Sequence, residues 1–189
     1  MTSRHPQIRT PRLLLRPPIA EDFDAWARFH ADETTMEHLG GVQHPADSWR
    51  GLASLIGMWD LASAAMFCVV EADSGEWIGR IGPHEPHLWP CKEVGWGILR
   101  EHEGKGYALE AAVACVDYAF RELGWETVSH LIATENTRSA ALAQRLGAVT
   151  VGESTMPGSL AEYQVTEWRQ SADEWWAHRD RFEAMVPMH

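Results

Sequence analysis

Apolar side chains recur along this chain in two rhythms, one short-period or unbroken over a few residues and one close to 3.6 residues. The first rhythm predicts strands over residues 13–16, 66–71, 77–81, 94–99 and 127–134, each rich in Val, Ile, Leu, Phe or Trp. The second predicts helices. Phe23, Trp26, Ala27 and Phe29 fall near helical spacing from about residue 20, with Glu21 and Asp22 favouring that N-terminus. Over 45–61, Trp49, Leu52, Leu55, Ile56 and Trp59 share one face. A long helix from Tyr107 offers Ala111, Val113, Ala114, Val116, Ala119 and Phe120 for burial, and a shorter one covers 136–146.

The punctuation between these runs fixes their order. Pro17-Pro18 closes the first strand by removing a ladder donor. Four polar residues, 73–76, join 66–71 to 77–81 as an antiparallel hairpin. Residues 83–90 carry three prolines and read as a loop, while Gly95 and Gly97 inside the next strand predict a bulge or a close backbone approach. Gly124 and Gly147 stand where helices should stop. Two last strands, 149–151 and 161–168, connect through Met156-Pro157-Gly158, and Ser171 with Glu174 makes a capping box for a C-terminal helix over 171–185.

Composition narrows the class. A chain of 189 residues, 45% hydrophobic and 23% charged, suits one globular domain spanning 1–189, with the first nine residues the segment expected to be disordered. Ten tryptophans read mainly as packing aromatics. The formal charge of −11 opposes phosphate backbones and anionic bilayers, so neither nucleic acid nor membrane is an expected partner. No apolar stretch is long enough to span a bilayer, the N-terminus has no signal-peptide core, and three cysteines without close spacing suggest no disulfide framework. The expected compartment is the cytoplasm.

The most informative chemistry lies at Glu103-Gly104-Lys105-Gly106-Tyr107-Ala108, between a predicted strand and a predicted helix. Glycines there let backbone approach a ligand, and a helix opening behind them directs unpaired N–H groups at an anion such as a phosphate. A plain glycine turn before a helix is the alternative. Glu110 falls in the first helical turn, where the dipole favours an acid.

Downstream, Glu135-Asn-Thr-Arg-Ser139 and Leu146-Gly147 follow in order, after Thr10-Pro-Arg-Leu-Leu-Leu-Arg-Pro at the start and Glu93-Val-Gly-Trp-Gly-Ile-Leu in the middle. In these phrases the chain resembles the GNAT (GCN5-related N-acetyltransferase) superfamily, most closely the branch of ribosomal-protein alanine N-acetyltransferases. The resemblance implies an α/β (α+β) fold with a central mixed, mostly antiparallel sheet of about seven strands, a splayed middle strand and flanking helices. The family's Arg/Gln-x-x-Gly-x-Gly/Ala motif maps onto Glu103, Gly106 and Ala108, with Glu103 departing from the pattern. It implies acetyl-CoA as co-substrate, held by Trp96, Ile98, Leu99, Gly104, Lys105, Gly106, Tyr107, Ala108, Asn136 and Ser139, and direct acetyl transfer to a primary amine.

Such transfer needs a neutral nucleophile, a polarised thioester carbonyl and a proton for the departing thiolate. Glu93, before the splayed strand, is the candidate base acting through water, or else a carboxylate on a strand edge. The Trp96 backbone N–H is a candidate donor to the thioester oxygen. Asn136 and Ser139 match the family's Asn-x-x-Ser phrase, and Asn136 also suits a helix N-cap. The family's frequent tyrosine acid is replaced by Ala143, leaving Ser139, Tyr163 or solvent to protonate the thiolate.

For the acceptor, the first two helices and the 84–90 loop are the expected walls, with His84, His87 and Trp89 nearest the amine and Trp26 and His30 behind them. His84, Glu85, His87 and Cys91 match no standard zinc spacing, so no metal is expected. The acceptor amine belongs to a protein N-terminus or a small molecule, and the alternative from another class is a non-catalytic acyl-CoA-binding sensor or interaction module. A homodimer is an open alternative to a monomer.

Overall fold

The computed structural model describes residues 5–62 and 65–188. β1 (Ile8–Arg9) and β2 (Leu13–Arg16) open the chain as an antiparallel pair. A 3-10 turn at Ala20–Asp22 leads into α1 (Phe23–Ala31), then α2 (Glu33–Met36) and α3 (Pro45–Leu61). β3 (Phe67–Glu71), β4 (Trp77–His84) and β5 (Glu93–Ile98) follow, and α4 (Tyr107–Arg121) leads to β6 (Thr127–Ala133). The chain closes with α5 (Thr137–Leu146), β7 (Val149–Ser154), β8 (Val165–Ser171) and α6 (Ala172–His178).

All eight strands join one sheet in the order β1-β2-β3-β4-β5-β6-β8-β7. Every neighbouring pair is antiparallel except β5 with β6. The mixed, mostly antiparallel sheet flanked by helices is thus as the family resemblance implies, with eight strands among the described residues rather than about seven. The additional strand is β1, which lies inside the first nine residues, the segment expected to be disordered. Ile8 and Arg9 instead pair with Leu15 and Leu14, and residues 1–4 lie outside the described residues.

Packing explains where the remaining elements differ from their predicted bounds. β4 runs on to His84, because Pro83 and His84 pair with Val94 and Glu93, so the loop starts at Glu85. β8 begins at Val165 because 158–160 form a 3-10 turn and Tyr163 N–H bonds to Leu160 O. The C-terminal helix gives way after His178 to a 3-10 turn, Arg179–Phe182. There the buried Arg179 reaches Asp117 of α4 at 2.6 Å, and Trp175 Nε1 donates to the same carboxylate at 2.8 Å. On α3, Leu52, Leu55 and Trp59 are buried as predicted, but Trp49 and Ile56 face outward.

The core lies between the sheet and α4 and between α1 and the sheet. Ala111, Ala112, Val113, Cys115 and Val116 are wholly buried, and their small volumes bring α4 close to β4 and β5. Phe29 of α1, also wholly buried, lies where a side chain at Gly97 would stand, 2.7 Å from the position of its Cβ. The β4–β5 register runs unbroken past Gly95 and Gly97, so these glycines serve close approach and not a bulge. Truncating Phe29 to Ala should cost about 3–5 kcal/mol.

Candidate active site

The site begins where β5 and β6 part. Among the described residues these strands pair at one position, Glu93 opposite Ser129. On its other edge β5 is tied to β4, with Leu99 N–H bonded to Ile78 O at 2.8 Å. Antiparallel pairs alternate between bonded and non-bonded positions, so Val94, Trp96 and Ile98 turn their backbone groups toward the fork. His130 Nδ1 takes up Val94 O at 2.7 Å, and the Trp96 indole N–H crosses the gap to Ser139 Oγ at 3.2 Å. The splayed middle strand is therefore present, with the Trp96 backbone N–H on its open edge.

On one side of the fork lies a cavity of about 520 Å³ lined by residues 104–108 together with Trp96, Ile98, Asn136 and Ser139. Gly104 and Gly106 adopt φ of +72° and +83°, a region that strains L side chains. Gly106 caps α4, whose first helical bond runs from Glu110 N–H to Gly106 O at 3.1 Å. The N–H groups of residues 106–109 are left for other acceptors. Behind the loop, Arg12 Nη1 donates to Lys105 O at 2.9 Å and the guanidinium lies over the Tyr107 ring at 4.7 Å. The Tyr107 hydroxyl donates to the Glu71 carboxylate. Glu103 is taken up by Arg138 at 2.6 Å, an exposed pair of little energetic weight.

On the other side lies a cavity of about 290 Å³, which shares Trp96, Asn136, Ser139, His38 and Leu39 with the first. Glu93 lines it, buried at 7% exposure, with Oε2 accepting Trp89 Nε1–H at 2.7 Å and Oε1 a weak bond from Leu131 N–H at 3.4 Å. Burial pushes its carboxyl up to about 7, against the lowering effect of the Trp89 and Leu131 bonds and the Arg80 charge. Burial also takes His84 and His130 down to about 4, aided at His84 by Arg80, so both rings are neutral at pH 7. The Cys91 thiol is pushed by burial up to about 12, which keeps it protonated and no nucleophile.

Most sequence-predicted residues converge here. Trp96, Ile98, Gly104, Lys105, Gly106, Tyr107, Ala108, Asn136 and Ser139 line the larger cavity, and Glu93, His84 and Trp89 the smaller. Asn136 is also an N-cap, its Oδ1 accepting Ser139 N–H at 3.0 Å. Leu99 is displaced to the core, since its N–H is spent on β4. Trp26 and His30 are core residues as well, with the Trp26 indole donating to Ser48 O and His30 Nδ1 bonded to Trp26 O. His87 is exposed and lines neither cavity. Neither α1 nor α3 walls the smaller cavity, because their apolar faces are spent on the core. The turn after α2 (His38, Leu39, Gly40) and residues 156–165 take that place.

Arg80 and His130 also line the smaller cavity and were not anticipated. A lone Arg inside the apolar run 77–81 is the signal that marks the first, and none marks the second. Among the described residues no three His, Cys, Asp or Glu side chains converge on a metal position, and no helix is long and apolar enough to cross a membrane.

A family profile for the acetyltransferase (GNAT) domain matches residues 12–149. The chain belongs to the GNAT acetyltransferase family. An acetyltransferase structure from Agrobacterium tumefaciens is 31% identical, covering 90% of this chain and 96% of that one with a TM-score of 0.79. The uncharacterized N-acetyltransferase YoaA of Bacillus subtilis is 28% identical over 150 residues, 75% of this chain and 82% of YoaA, while a shorter match covers 44% of its relative's length. A ribosomal-protein alanine acetyltransferase from Vibrio fischeri shares the fold, with a TM-score of 0.69 at 19% identity over 90% of this chain and 99% of that one.

Proposed function

We propose that this GNAT acetyltransferase moves an acetyl group from acetyl-CoA directly to a primary amine, in the cytoplasm. The observation that carries the proposal is Glu93: a buried carboxyl brought to about 7, standing at the fork beside the cavity that adjoins the glycine loop. A base poised near neutrality is what amine deprotonation needs. The free N–H groups of residues 106–109 and the positive φ of Gly104 and Gly106 suit a pyrophosphate. Backbone groups of Val94, Trp96 and Ile98 on the open edge suit an extended amide-bearing arm.

The reaction then runs through a tetrahedral adduct. The neutral amine attacks the thioester carbonyl, forming the C–N bond, while its proton passes through water to Glu93. The Trp96 backbone N–H meets the developing oxyanion. Collapse breaks the C–S bond, and the thiolate takes a proton. Ser139 accepts the Trp96 indole N–H at 3.2 Å, which leaves its own hydroxyl hydrogen available for that thiolate. Ala143 is wholly buried with Ile132 and Ala148, and its methyl group has no proton to give the thiolate.

Thiol release from acetyl-CoA over a panel of small amines and N-terminal peptides tests this reading. Turnover with any of them supports it. Binding of acetyl-CoA without turnover on any acceptor would favour a sensor, the reading to which the replaced Tyr and the Glu103 departure lend weight.

A further inference from the structure

The smaller cavity holds one permanent cation and one carboxyl among its lining side chains, Arg80 and Glu93. They are not paired with each other: no ion pair of Arg80 within 4.0 Å occurs among the described residues, and its sole hydrogen-bond acceptor there is the thioether of Met66, at 2.9 Å from Nη1. Arg80 Nε is buried and unpartnered. The ring centroids of Trp26 and Phe29 each lie 5.7 Å from its guanidinium carbon. Such rings compensate a buried cation only in part, and a thioether is a weak acceptor. Glu93 acts on this arginine electrostatically, but among the described residues no carboxylate comes within ion-pairing distance of it.

The sheet places the two groups at opposite ends of one short floor. Arg80 sits opposite Gly97, Gly82 opposite Gly95, and His84 opposite Glu93. With glycine at 82, 95 and 97, β4 and β5 raise no side chain of their own between the cation and the acid, and Phe29, Phe67 and Met66 pack over these glycines from other elements. Met66 bridges them from the side: its sulfur touches Arg80, and its methyl carbon would be 2.7 Å from a Cβ at Gly95, itself 3.3 Å from Glu93 Oε1. Two of the ionisable rings that line the cavity, His84 and His130, are uncharged at neutral pH. The cavity thus has a cationic end, a proton-accepting end and about 290 Å³, room for a small organic molecule.

Building on the proposed amine acetylation, we infer that the acceptor is a small amino acid-like zwitterion whose carboxylate is bound by Arg80 while its amine faces Glu93. The guanidinium's planar fork matches a carboxylate, and the ligand would supply the close counter-charge that Glu93, beyond ion-pairing distance, does not. A protein N-terminus carries no carboxylate beside its amine unless a side chain supplies one.

The test compares acids with their amides. Acetyl transfer is measured with glycine, the longer ω-amino acids up to 5-aminopentanoate, several α-amino acids, and the amide of each. For the best acid, kcat/KM should exceed that of its amide by about ten- to a hundredfold, the range of one charge-assisted hydrogen bond. In Arg80→Gln the ratio should fall toward one while acetyl-CoA affinity is retained, and Arg80→Lys should restore part of it. Equal turnover of acid and amide by the wild type overturns the inference and leaves acetyl transfer standing. So does an Arg80→Gln variant that is merely less stable with the ratio intact. Peptides beginning Ala-Asp that outperform every free amino acid overturn the small-molecule assignment. If no amine is acetylated at all, the function proposed above fails, and Arg80 is judged by calorimetric titration of the same acids: binding abolished in Arg80→Gln sustains the carboxylate site, and no binding to wild type ends it.

Discussion

Arg12 and Glu110, 98 residues apart, join the first strands to the helix behind the glycine loop, with Arg12 Nε 2.6 Å from Glu110 Oε2. Glu110 is 1% exposed and also accepts Thr10 Oγ1–H at 2.6 Å and Arg12 N–H at 3.0 Å. The same guanidinium holds Lys105 O through Nη1. One side chain therefore ties a buried acid to the backbone of the loop.

Replacing Arg12 by Ala should accordingly have two effects. Glu110 keeps two of its three donors, so stability should fall by about 1–3 kcal/mol, the cost of removing a charged donor from a buried carboxylate. Release of Lys105 O should also weaken acetyl-CoA binding. Arg12→Lys cannot reach both acceptors, and should recover more stability than affinity. Denaturant unfolding and calorimetric titration of CoA separate the two.

Gly106→Val should be folded yet defective in cofactor binding. At φ of +83° a β-branched residue is strained by roughly 1–2 kcal/mol, and its Cβ would lie 3.4 Å from Arg12 Nη2. Relief of that strain moves the N–H groups that open α4. CoA affinity should drop at least about tenfold. Unchanged affinity in a folded variant would remove the pyrophosphate from this loop.

How much of this was legible in the sequence depends on the range of the interaction. Local signals gave α3 to the residue, the Ser171–Glu174 capping box and Gly147 as a helix stop at φ of +96°. The glycine loop was readable because its chemistry is backbone geometry within six residues. The acceptor side was readable only in part, at Glu93, His84 and Trp89, because its other members come together only through strand register. Arg80 comes onto the same face as Glu93 through pairing of β4 with β5, and His130 arrives from β6. His87 and Trp89 looked alike in the loop, yet only the tryptophan turns inward to Glu93. Trp26 and His30 were drawn into the core by the apolar face that made their helix recognisable.

Glu93→Gln should lower kcat by about 10²-fold or more, the share general-base catalysis commonly supplies. The wild-type rate should rise as pH increases through about 7, where the carboxyl ionises, and the variant should lack that rise. Stability should move the other way. A carboxyl whose folded pKa lies above its unfolded value stabilises the fold below the unfolded value, and that contribution is lost as pH rises through about 7. Glutamine stays neutral, so at pH 8 the variant should be more stable than wild type by roughly 2–3 kcal/mol. Thermal unfolding at pH 5 and pH 8 checks the sign: the difference should be several-fold larger at the higher pH.

Trp89→Phe should shift the pH profile without abolishing activity. The Trp89 indole N–H donates to Glu93 Oε2 at 2.7 Å and stabilises the charged carboxylate, while its ring packs edge-on to His84 at 4.6 Å between centroids. Phenylalanine keeps an aromatic ring there and removes the donor. The Glu93 carboxyl should then ionise at still higher pH, moving the rising limb of the rate profile to more alkaline values. At pH 7 the rate falls because less base is ionised, and at pH 9 much of it returns. His87→Ala, at an exposed site outside both cavities, should leave the profile where it is. A Trp89→Phe profile superimposable on wild type would mean that the ionisation controlling the rate is not that of Glu93.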